Sequence, residues 1–129
     1  MPKLFRVNDP REISRITETI RDCWLDANWI ALNSETSTLS IRFLKPTGSE
    51  SFVVNRVRFP AIECFLRISR VKSFTVEDKQ KIRFYDISTV EYNPIPKCVQ
   101  LRTGVPIEIG AVVDDFDVTV VETGTVVED

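Results

Sequence analysis

The stretch 61–76, AIECFLRISRVKSFTV, constrains the fold of this chain more than any other. Ile62, Cys64, Leu66 and Ile68 fall on one parity and Glu63, Arg67 and Ser69 on the other, with Phe65 as the exception. Side chains alternate across a pleated strand, so the pattern predicts one buried face and one wet face. After Ile68 the apolar positions change parity, to Val71 and then to Phe74 and Val76. Fully extended, the run would reach about 50 Å at about 3.3 Å per residue, more than a small domain can use. An extra residue near 70–73 flips the parity and turns the strand, so the spacing predicts a long, bent central strand.

The other segments can be placed around it. Residues 3–7 read as a short edge strand. Asp9-Pro10-Arg11-Glu12 then opens a helix: Asp9 caps, Pro10 suits the first helical position, and Glu12 sits where a capping-box carboxylate reaches back. Ile13, Ile16, Ile20, Cys23 and Trp24 continue it as one apolar stripe, which predicts a helix over 10–25. Alternation predicts strands over 28–32, 38–44, 51–59, 81–92, 97–102, 106–113 and 115–122, with the parity of 81–92 slipping near Tyr85 and Asp86. The polar runs 33–37 and 46–50 carry turn chemistry, and two prolines keep 93–96 out of a sheet.

Short polar connections favour antiparallel neighbours, because parallel strands need long crossovers. The expected class is therefore α+β, one domain over 1–129. One N-terminal helix packs on a predominantly antiparallel meander sheet curled into a half-barrel or barrel. A two-layer β-sandwich with the helix at one end is the second arrangement.

The chain has no histidine, which removes Ser-His-Asp and Cys-His catalysis and histidine-ligated metals. Cys23, Cys64 and Cys98 are odd in number and widely spaced, so neither a disulfide framework nor a zinc site is expected. No cofactor is expected. No apolar run approaches the roughly 18 residues of a membrane helix, and the N-terminus has no secretory h-region, so the expected location is the cytoplasm.

Net charge is −2 but unevenly spread. Residues 52–83 hold eight basic and three acidic groups, and 104–129 hold seven acidic groups and no Lys or Arg. Arg56, Arg58, Arg67, Arg70 and Lys72 form a candidate interaction surface. A nucleic-acid role is not expected, since a pI near 5.3 is wrong for a protein that neutralises phosphates. Asp114, Asp115 and Asp117 form a candidate metal site, although no EF-hand loop surrounds them. Trp24, Trp29, Phe43, Phe65 and Phe84 are candidate linings of a ligand pocket on the inside of the curved sheet. The competing readings are ordinary: cross-strand charge pairs, solvated turn aspartates and core aromatics.

The leading functional expectation is a non-enzymatic interaction module that binds a protein partner or itself, the charge polarity suggesting a homodimer. A small-molecule carrier or sensor using the concave face is the alternative. A carboxylate enzyme with a divalent metal is the third.

Overall fold

The computed structural model describes residues 3–46 and 61–127. The expected strand over 51–59, with Arg56 and Arg58, lies outside the described residues. The rest forms nine strands and one short helix. In chain order these are β1 (Lys3–Val7), a 3-10 turn (Pro10–Glu12), α1 (Ile13–Ile20), β2 (Trp24–Asn33), β3 (Thr38–Pro46), β4 (Ala61–Ile68), β5 (Val71–Glu77), β6 (Phe84–Pro94), β7 (Lys97–Thr103), β8 (Glu108–Val113) and β9 (Val118–Val127). The strands join one antiparallel sheet in the order β1-β9-β4-β3-β2-β6-β7-β8-β5. Among the described residues this sheet is open, with β1 and β5 at its ends, so the expected barrel closure is absent there. No helix among them is long and apolar enough to cross a membrane.

The central stretch does bend. β4 ends at Ile68, Arg70 takes the left-handed conformation (φ 55°), and β5 starts at Val71 with a register shift between Val71 and Ser73. Across the bend, Ser69 N donates to Asp117 O at 2.9 Å and Asp114 N donates to Arg70 O at 3.0 Å. β4 therefore pairs with β9 and β5 with β8, as one antiparallel ribbon folded at a corner. This corrects the simple meander. Sequential pairing holds for β2-β3-β4 and β6-β7-β8, but the corner sends β5 to the far end of the sheet.

The helix is shorter than its apolar stripe. Asp9 caps as expected, its Oδ1 accepting from Arg11 N at 3.0 Å, whereas the Glu12 carboxylate pairs with Arg15 instead of reaching back. α1 ends at Ile20, because Arg21 turns extended (ψ 139°) and Asp22 goes left-handed (φ 67°). Cys23 and Trp24 therefore leave the helix. Cys23 stands three residues after Ile20, as in a helical stripe, and two before Leu25, as on a strand face, and all three are buried. At the other end of the chain, β9 continues past 122 to Val127, where it pairs with Ala61.

One face of the sheet carries the core: Leu39, Ile41 and Phe43 of β3, Cys64, Leu66 and Ile68 of β4, and Val118 and Val120 of β9, joined by Ile16 and Ile20 of α1. The helix is tied to β6 by Thr17, whose Oγ1 accepts from Val90 N at 3.1 Å and donates to Val90 O at 3.3 Å.

Candidate functional site

β2 opposes β3 in two registers. Leu25 faces Phe43 and Ile30 faces Ile41, so residues 26–29 bulge out opposite the single residue Arg42. Bulges re-aim side chains and collect beside functional sites. Here the bulge buries a carboxylate. Asp26 is 0% exposed and accepts four bonds: from Asn28 N at 3.1 Å, Arg42 Nη1 at 2.8 Å, and Arg83 Nε and Nη2 at 3.1 and 3.0 Å. Arg42 donates its Nε to Glu63 Oε2 at 2.8 Å, and Thr123 Oγ1 donates to Glu63 O at 3.0 Å. Two guanidiniums thus balance two carboxylates. A buried charge is tolerated when each member is paired and hydrogen-bonded, and here each is. Aromatic rings cover both cations: Arg42 lies 5.7 Å from the Trp29 ring centre and Arg83 lies 4.8 Å from that of Phe84.

The same bulge leaves a strand edge open. β6 pairs with β2 only at Trp24, Leu25 and Asp26, and Ala27 N donates to Arg83 O at 2.8 Å. Beyond that point, among the described residues, 30–33 pair with β3 on one side only. Trp29 is 55% exposed and Leu32 40%, and Ala31 is exposed as well. No residue from 28 to 33 is charged and none is proline. The end strands differ: β1 carries Lys3 and Arg6, and β5 carries Lys72 and Glu77. Charges on an edge discourage pairing with another chain, so strands β1 and β5 are guarded and the β2 edge is not.

The aromatics chosen from the sequence separate. Phe43 is 1% exposed in the core. Cross-strand register puts Trp24 opposite Leu44 and Asp86, Phe65 opposite Arg42, and Phe84 opposite Asp26, on the face turned away from that core. They join Trp29 around the ion network instead of lining one cup with Phe43. A groove of about 430 Å³ lies elsewhere, lined by Thr75, Gln100, Arg102, Thr103, Glu108 and Gly110 among others.

The three aspartates of the corner also part. Asp117 is bound bidentately by Arg6, at 2.9 and 2.8 Å; Asp115 lies 3.6 Å from Arg70, and Asp114 lies 3.6 Å from Lys72. No group of three or more metal-ligating side chains is assembled among the described residues. Arg6 holds the Asp117 carboxyl below the usual aspartate value by hydrogen bonding, against the opposing effect of burial. Arg70 and Lys72, expected on an interaction surface, thus face acids of their own chain, while Arg67 is exposed between Ser40 and Thr119. Burial pushes the thiols of Cys23 and Cys64 up to about 12.

Sequence reasoning missed Asp26, Arg42, Glu63 and Arg83. The signal was the acid inside WLDANWIAL, an otherwise apolar strand. No family model, curated protein or solved structure matches this chain.

Proposed function

We propose that the chain is a non-enzymatic interaction module that binds a protein partner by adding an extended strand to the open edge of β2. The observation carrying this reading is the uncharged, half-paired segment 28–33 with Trp29 standing out of it. Unpaired backbone groups supply the affinity in strand addition, and neighbouring side chains supply the selectivity. Trp and Arg dominate binding hot spots, and Trp29 over Arg42 with Arg83 beside it provides that chemistry at a position fixed by the Asp26 network.

The test is affinity capture with the whole chain as bait, in three forms: unaltered, Ala31→Lys with Leu32→Lys, and Thr75→Lys on the guarded end strand. Proteins held by the unaltered chain should be lost with the β2 variant and kept with the Thr75 variant. Identical capture by all three would overturn the proposal.

A further inference from the structure

The occupant of this edge can be argued further, on the reading of β2 as the docking edge. We infer that residues 29–33 pair with the same residues of a second copy, antiparallel, across a twofold axis at Ala31. In an isologous antiparallel pair the axis stands perpendicular to the sheet, so each face stays on its own side and opposed residues share parity. Two registers then centre on the segment, at Ile30 or at Ala31. Centring at Ile30 brings Asn33 of the second copy level with Ala27, where Arg83 O already holds the Ala27 amide. Centring at Ala31 stops the pairing with Trp29 opposite Asn33, one step clear of Arg83. There the second copy's strand ends by itself, since 34–37 is its turn.

This register also matches the side chains. Ile30 and Leu32 lie beside Ile41 and Leu39, both 0% exposed, so they are on the core side. Ile30 of one copy meets Leu32 of the other, and the apolar layer runs across the axis. Ala31 at the axis is small enough to face itself. Beyond the paired segment, the turn carrying Glu35 comes alongside Arg83 and the loop before it. Glu35 is exposed and forms no ion pair among the described residues, and the same holds for Lys79 and Lys81. Asp78, the loop's acid, is already engaged by the Tyr85 hydroxyl and by Lys81 N. Symmetry makes the contact between Glu35 and this basic loop twice. A foreign strand would have to reproduce the length, the turn and the acid, whereas a second copy brings all three.

Light scattering on the whole chain, from about 5 µM to about 500 µM, reads the outcome, because a single-strand interface falls in the weak range of dissociation constants. The mass should rise to that of a dimer. Ala31→Arg, which opposes two guanidiniums at the axis, should weaken dimerisation at least about tenfold. Glu35→Lys and Lys81→Glu should each weaken it about tenfold, and the double exchange should restore it. Both of these sites are exposed, so the exchange stays informative even if Ala31→Arg fails to fold. A monomer at every concentration overturns the second copy as occupant and leaves the β2 edge to the capture experiment. A dimer that ignores Ala31→Arg overturns the interface. A dimer that Ala31→Arg breaks but the double exchange does not restore overturns the register.

Discussion

Asp26 is the residue on which the candidate site turns. Replacing it with Asn keeps its shape but leaves the network one carboxylate, Glu63, against two guanidiniums, that of Arg42 being only 12% exposed. Breaking one partner of a buried ion pair costs about 3–5 kcal/mol, so Asp26→Asn should lower the unfolding free energy by about that amount in urea. Arg83→Ala should cost much less, since that side chain is 47% exposed and Asp26 keeps Arg42. The thiols give a second residue-scale expectation. Thiolate is the reactive form, and burial raises the Cys23 and Cys64 values to about 12. Alkylation near pH 8 should therefore modify half-buried Cys98 first, with the other two reacting only as the protein unfolds, as intact-mass measurement would show. The burial of Cys23 and Cys64 was legible in the sequence as small residues in apolar positions. The role of Asp26 was not, because a lone acid in a strand reads as a turn or a wet face until its cations arrive from positions 42 and 83.

At the scale of elements, the sequence reading did best where one face of a segment decides the pattern, and worst where a second segment does. The corner of the β4–β5 stretch is visible as a parity change because the core takes one face of each limb. The slip expected near Tyr85 and Asp86 falls two residues later: Tyr85 and Ile87 are buried on one parity, and the register shifts between Ile87 and Thr89, just after pairing with β2 ends at Asp86. The bulge at 26–29 and the open edge beyond it depend on where β6 stops pairing, which no pattern within β2 records. The end of α1 was misplaced because Cys23 fits a helical stripe and a strand face equally well. Asp22, left-handed after the last turn, is a position that glycine fills without steric cost. Asp22→Gly should stabilise the protein by about 0.5–1 kcal/mol, a gain in thermal midpoint that calorimetry would detect. Loss of stability would mean that the Asp22 side chain contributes more than its backbone costs.

For the whole molecule, part of the segregated charge meets at the corner. Lys72 with Asp114 and Arg70 with Asp115 join the basic segment 52–83 to the acidic segment 104–129, and Arg6 of β1 adds its pair with Asp117. The first two pairs are exposed, and exposed pairs contribute little. Asp117 is buried, and its pKa is depressed in the folded state. Its contribution is therefore present above the ordinary aspartate range and lost as pH falls through the lowered value. Stability should drop on acidification from about pH 5 to about pH 2, and Asp117→Asn should shrink that drop in denaturant titrations at the two pH values. The pair also joins segments 111 positions apart, as β1 does in lying against β9. Such distant pairing makes folding slow, because the loop must close before the contact rewards it. A chain emerging from the ribosome presents Leu4 and Phe5 long before Val120 and Val121 exist to receive them. β1 is thus made well before β9 and waits for it before joining the sheet.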